Sequence, residues 1–298
     1  MKRTGFIFLT LLIVSCSAQS QELSSTYSVN EIQDIVYHSG TDATNKHKLD
    51  LYLPVERTDA PLLLWIHGGA WAFGSRKDDR NFARNLASSG IAVASVSYRL
   101  SPALWVNPPK RSGIEHPEHI RDIARAFNFL YENQDQFPYD PKNIVVSGYS
   151  AGGHLSALLA LDSSYLAETG RSVSDISAAL PMAGAYDIMA YYNAHAGYRG
   201  EKFADAHVRG VFGQTDQQLI HASVTKYVEN SLVPMLVISE SESYAYTIEL
   251  ENAVRTKKAD HIEFWHIREE THQSFLADLN SENSKYLERI ISFIENKS

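Results

Sequence analysis

The chain has 298 residues, 44% of them hydrophobic, enough to bury the core of one large α/β domain or two small ones. Its 27 basic residues stand against 35 acidic ones, a net charge of −8, and no long basic stretch occurs. That balance argues against nucleic acid as a partner and against attraction to anionic lipid. Cys16 is the sole cysteine, so the folded part has no disulfide and no thiolate metal site.

In chain order, the first segment reads as a leader. Lys2 and Arg3 precede an apolar run from Phe6 to Val14, and small residues follow. This is the layout of a secretory signal over residues 1–18, too short to span a membrane stably. Two processing routes fit: cleavage after Ala18, or lipidation of Cys16, since Ile13-Val14-Ser15-Cys16 resembles a bacterial lipobox. Either implies export to the periplasm, the medium or the envelope, with membrane contact only through a lipid on Cys16. Residues 20–30 are polar and read as a loose leader to a single domain over residues 30–298.

Two short strands are expected next, in DIVYHSG (34–40) and HKLDLYLP (47–54), where Leu49, Leu51 and Leu53 alternate with polar residues. APLLLWIHGG, GIAVASVSYR and NIVVSGYS are near-continuous apolar runs, and AALPMAGAYD, PMLVISE and IEFWHI are further strand candidates. Continuous runs point to strands buried on both faces of a parallel sheet. Between them, Ile120, Ile123, Ala124, Phe127, Leu130 and Tyr131 fall at helical spacing, and residues 286–294 close the chain in the same way. Strand alternating with helix predicts an α/β fold with a mostly parallel sheet flanked by helices. Residues 188–232, rich in Tyr, His, Gly and charge, break this rhythm and predict a small cap-like excursion.

Gly148-Tyr149-Ser150-Ala151-Gly152 is a G-x-S-x-G motif between a strand and a helix beginning at Ala151. So tight a turn needs small residues at 148 and 152. It lifts the Ser150 hydroxyl clear of the sheet, next to the free N–H groups of a helix start. A phosphate-binding reading needs glycine-rich patterns that this segment lacks.

A second glycine cluster, His67-Gly68-Gly69-Ala70-Trp71, ends an earlier strand. It resembles the HGG motif of α/β-hydrolases of the carboxylesterase and lipase class. SYRLSP (97–102) and GYSAGGH (148–154) resemble the same class. The likeness runs roughly from Leu49 to Ile294. It is nearest to secreted bacterial feruloyl and acetyl esterases and to arylformamidases with an HGG-x-W variant. The resemblance implies an α/β-hydrolase fold and main-chain oxyanion donors at Gly69, Ala70 and Ala151. His67 reads as a structural hydrogen-bonder.

In such chains the acid and then the histidine follow the serine. His261 precedes the last strand and His266 lies inside it, which leaves His272, in the polar stretch beyond, as the base. The acid is the least defined member. PMLVIS runs into Glu240-Ser241-Glu242-Ser243-Tyr244-Ala245-Tyr246. Glu242, Ser243 and Tyr246 resemble an arylformamidase-like pattern of acid-serine with an aromatic three residues later. This makes Glu242 the first choice, Glu240 the second and Asp187 the third.

The expected chemistry is acyl transfer through Ser150, with no metal and no cofactor; the histidines at 116 and 119 lack zinc-ligand spacing, and His154 reads as a packing residue. Trp71, Tyr149 and Tyr186 are candidate substrate contacts. Tyr191, Tyr192, His195 and Tyr198, with Phe73 and Trp105, either line a pocket or pack the cap. The expected partner is a small or polysaccharide-linked ester. An amidase or small peptidase on the same fold, and an inactive hydrolase fold used for binding, are the rival readings.

Overall fold

Leu62, Leu64 and Ile66 pack into one hydrophobic cluster, while Leu63 and Trp65 pack into another. A strand whose side chains alternate between two cores has no polar face, so its sequence is an unbroken apolar run. The computed structural model describes residues 26–230 and 232–296. The expected leader at 1–18 and Cys16 lie outside them.

Among the described residues eight strands form one sheet: β1 (Val29–Val36), β2 (Lys48–Pro54), β3 (Leu62–Ile66), β4 (Ala92–Val96), β5 (Ile144–Tyr149), β6 (Ala178–Met182), β7 (Met235–Glu240) and β8 (Ile262–Ile267). Their order is β1-β2-β4-β3-β5-β6-β7-β8. The pairings β1–β2 and β2–β4 are antiparallel, and all others are parallel. β1 begins within the stretch expected to be a loose leader. It is an edge strand with much of its length facing solvent, so its polar residues concealed its start, while its end overlaps the strand expected at 34–40.

Helix α1 (Arg80–Ser88) joins β3 to β4 and buries Phe82, Ala83, Leu86 and Ala87 on one face of the sheet. Helix α2 (Glu118–Glu132) carries the chain to β5 and buries Ile120, Ile123, Ala124, Phe127 and Leu130 on the other face. Each of the Phe, Leu and Ile side chains among these, fully buried, is worth about 1.5–3 kcal/mol. Helix α3 (Ala151–Leu161) is buried along its whole length, which is why its sequence is apolar all round. α4 (Ser163–Ala167) follows it.

β3 and β5 are neighbours, yet the chain leaves β3 toward β4 and leaves β5 toward β6. The connections diverge and open a crevice above the strand ends, where open α/β sheets bind ligands. Both glycine clusters lie there.

The excursion enters between β6 and β7. It consists of α5 (Ile188–Arg199), α6 (Glu201–Ala204), a π-turn (Asp205–Arg209), α7 (Gly210–Phe212), α8 (Asp216–Ala222) and a 3-10 segment (Val224–Asn230). α9 (Tyr244–Lys257) links β7 to β8, and α10 (His272–Leu279) and α11 (Leu287–Glu295) end the fold. Among the described residues no helix is long and apolar enough to cross a membrane.

Candidate active site

Ser150 caps α3 with φ 56° and ψ −113°, a strained conformation for a residue with a side chain. Its N–H donates to Met182 O at 2.9 Å, and its carbonyl accepts from His154 N at 3.1 Å. The strain is held by close packing of backbones. A Cβ on Gly152 would lie 1.9 Å from Ile66 O, and one on Gly148 would lie 2.6 Å from the same oxygen. Only glycine fits at either position, so the spacing of the motif follows from the distance between β3 and β5.

The turn after β3 is equally constrained. Gly69, Ala70 and Trp71 all have positive φ, at 107°, 50° and 57°. Gly69 O accepts from Ala72 N and Phe73 N, at 3.0 and 2.9 Å. Among the described residues, the N–H groups of Gly69 and Ala70 have no acceptor. Ala151 is the first residue of α3, where an N–H has no helical carbonyl to meet. Three main-chain donors are thus uncommitted around Ser150. His67 stands aside: its Nδ1 lies 2.7 Å from Gly68 O and its ring stacks on Tyr98 at 4.4 Å. Burial pushes its imidazole down to about 4, so it stays neutral.

His272 is the first residue of α10 and not a loop residue; Thr271 caps the helix and exchanges bonds with Ser274. Its Nδ1 lies 2.9 Å from Glu240 Oε1. The carboxylate on the ring is therefore Glu240 and not Glu242, a correction to the sequence reading. Glu240 is the last residue of β7 and 1% exposed. Its Oε1 also accepts from Ser243 N at 3.0 Å, and its Oε2 from Glu242 N. Burial pushes this carboxyl up, but the bonds from His272, Ser243 and the Glu242 backbone outweigh it, and it lies below the usual carboxylate range. Glu242, two residues into the turn, is exposed, and its Oε2 accepts the His272 backbone N–H at 2.8 Å. One glutamate holds the ring of His272 and the other its main chain.

The sequence misled because the Glu-Ser pair occurs twice. Glu240-Ser241 with Tyr244 fits the acid-serine-aromatic spacing as well as Glu242-Ser243 with Tyr246. The end of β7 breaks the tie. Asp187, the third choice, caps α5 through Ala190 N at 2.8 Å and accepts from Thr225 at 3.0 Å, so it has no contact with His272.

Ser150 and His272 line two adjoining cavities together with Ala70 and Tyr191. The narrower, of about 270 Å³, is walled by Trp71, Ala151, Tyr191, His195, Glu242 and Tyr246. The wider, of about 530 Å³, is bounded by Gly69, Phe73, Asp78, Tyr149, Gln273 and Leu276. In this conformation Ser150 Oγ has no hydrogen-bond partner among the described residues. Such bonds often tighten only with substrate in place.

Of the candidate substrate contacts, Trp71 borders the narrower cavity. Tyr149 reaches the wider one with little surface; its hydroxyl donates to His272 O, and its ring packs on His272 and Phe275. Tyr186 does not reach either. It is fully buried and its hydroxyl accepts from Gly184 N at 3.3 Å. Tyr192 bonds Asp205, Tyr198 is 90% exposed, and neither lines these two cavities. Tyr191 donates to or accepts from His207 Nε2 at 2.9 Å, a contact made by the π-turn that sequence periodicity did not reveal. His154 bonds Ala222 O at 2.8 Å and packs edge-on to Trp71. His266 lies in β8 and bonds Ser239 at 2.6 Å. Among the described residues no cluster has the makings of a metal site.

Comparison with known proteins places this geometry. The BD-FAE family model matches residues 49–248. Esterase LipC of Mycobacterium tuberculosis is 37% identical over 134 residues, 43% of this chain and 30% of that protein. Isoprenylcysteine alpha-carbonyl methylesterase ICME of Arabidopsis thaliana is 28% identical over 169 residues, 56% of this chain and 35% of that protein. The matches thus span about a third of the length of these curated relatives. An inhibited esterase B from Lactobacillus rhamnosis superposes with a TM-score of 0.70 at 20% identity, covering 90% of this chain and 88% of that one. The fold is that of the α/β-hydrolases.

Proposed function

The chain belongs to the BD-FAE family, and from that premise we propose that it is a serine carboxylic-ester hydrolase acting through an acyl-enzyme. One observation carries the reading: a buried carboxylate, Glu240, orients an imidazole, His272, that shares a cavity with Ser150 on its strained turn. The esterase names of the relatives, said of those proteins, point the same way.

In this mechanism His272 Nε2 takes the proton of Ser150 Oγ as the oxygen attacks the ester carbonyl. Glu240 fixes the tautomer through Nδ1 and stabilises the imidazolium. Negative charge gathers on the former carbonyl oxygen and meets the free N–H groups of Gly69, Ala70 and Ala151. The tetrahedral intermediate collapses, His272 returns the proton to the leaving alcohol, and the acyl group stays on Ser150. Water then enters, gives a proton to His272 and releases the acid by the reverse sequence.

The export inferred from residues 1–18, with or without a lipid on Cys16, belongs to this reading, as does a small or carbohydrate-linked ester as substrate. The test is hydrolysis of p-nitrophenyl acetate by the mature protein. Ser150→Ala is expected to lose about 10⁶-fold in turnover if serine and base act as a unit. A phosphonate ester is expected to label Ser150 and no other residue. Activity that survives Ser150→Ala overturns the mechanism, and hydrolysis of aryl formamides but not of esters turns it into an amidase.

A further inference from the structure

Glu242 is left without the role its sequence suggested, and its place in the site suggests another. Its Oε2 is on the His272 backbone, and it forms no ion pair with any described residue. It is exposed, and it lines the narrower cavity. Among the described residues no lysine or arginine lines that cavity. Facing the carboxylate are aromatic walls: Tyr191 packs edge-on to Tyr246 at 4.9 Å and to His195 at 4.4 Å, with Trp71 at 6.1 Å. The face of an aromatic ring is negative and attracts cations.

The histidines of this wall do not offset the charge. Burial lowers His195 and pushes the adjoining His207 down to about 3, so both rings favour the neutral form. Arg199, the cation next to His195, stacks over Phe203 at 3.7 Å and is not among the lining residues. The wider cavity differs in what stands behind its lining. Asp78 and the buried Asp79 lie in its wall, and Lys46 on Gly74 O and Lys110 over Phe73 back wall residues without lining the cavity themselves.

We propose that the narrower cavity sorts esters by charge: it accepts a neutral or alkylammonium-bearing group and excludes a carboxylate-bearing one, with Glu242 as the specificity-determining residue. The inference rests on the esterase reading above.

The experiment compares kcat/KM for matched esters that end in a methyl, a trimethylammonium or a carboxylate group. The group is varied on the acyl side of p-nitrophenyl esters and on the alcohol side of acetates, so that whichever half enters this cavity is covered. The cationic ester is expected to exceed the anionic one by about tenfold or more, the scale of one carboxylate acting across a few ångströms of partly watered space. Glu242→Gln keeps an oxygen for the His272 N–H and removes the charge, so it is expected to bring the ratio toward one. Raising salt from about 10 mM to 1 M tests the same point without a variant and is expected to compress the wild-type ratio. Equal rates on all three esters, or a preference that persists in Glu242→Gln and in salt, overturn the proposal. Failure of the wild-type protein to hydrolyse any of them overturns the esterase reading itself.

Discussion

The two glycine turns at 67–71 and 148–152 and the cap at 188–230 border the same cavities, but they are built in opposite ways. The turns are shaped by backbone: positive φ at Gly69, Ala70, Trp71 and Ser150, and approaches at Gly148 and Gly152 too close for any side chain. The cap is shaped by side chains: Tyr191 on His207, His195 against Tyr191, Trp105 edge-on to His207 at 4.5 Å. A backbone device tolerates one residue type. A wall of packed rings tolerates several of similar volume. Under the proposed mechanism, the turns control whether reaction occurs, and the cap controls on what.

That contrast is open to attack. After the loss of Ser150 itself, the largest effect is expected at the junction of strand and base: Glu240→Gln leaves a ring partner but releases the tautomer, and kcat is expected to fall by about 10⁴. Glu242→Gln is expected to cost at least tenfold less on p-nitrophenyl acetate; the reverse ranking would return the acid to Glu242. Next comes Gly69→Ala. Its Cβ would stand 2.4 Å from Phe73 O at a φ of 107°, so the turn must shift and carry its donors away. The expected loss is about 10²–10³ in kcat with KM little changed.

A third effect concerns acid stability and draws on both regions. Burial pushes His67 and His154 to about 4 and His119 and His207 to about 3. Each is depressed below its unfolded value near 6.5, so the unfolded chain binds more protons between these limits. The stability of keeping each ring neutral is complete above pH 6.5 and is lost as pH falls toward the folded values. The slope is about 1.4 kcal/mol per pH unit for each histidine. Urea midpoints measured from pH 7 to pH 4.5 should fall throughout; a flat profile would mean that these rings are not buried neutral. The smallest effect belongs to the cap. Tyr191→Phe leaves His207 Nε2 unpaired and is expected to cost about 1–3 kcal/mol in stability, with less than tenfold change in kcat/KM, carried by KM.

The same contrast explains what was legible in the sequence. Apolar runs with two buried faces announced β3, β4 and β5, and Ser150, His272 and the glycine turns stood out because tight turns restrict residue type. Glu240 did not stand out, because a doubled Glu-Ser leaves the register open until the end of β7 is known. Tyr186 looked like a cavity residue from its neighbours, and only packing shows that it turns into the core under Gly184. The first part of β1 was concealed by the polarity of an edge strand, and the π-turn that sets His207 has no periodic signature.

The hydroxyl of Tyr149 bonded to the main chain of His272 has a mechanical consequence. Tyr149 is the residue before Ser150, so a short strut runs from the elbow to the start of α10, and Phe275 braces it. Ser150 and His272 follow strands three places apart in the sheet, and this strut ties the two directly. Warming therefore leaves their spacing unchanged for as long as the strut holds. Under the proposed mechanism, ester hydrolysis is expected to persist up to the temperature at which the fold melts, with no folded but idle stage before it.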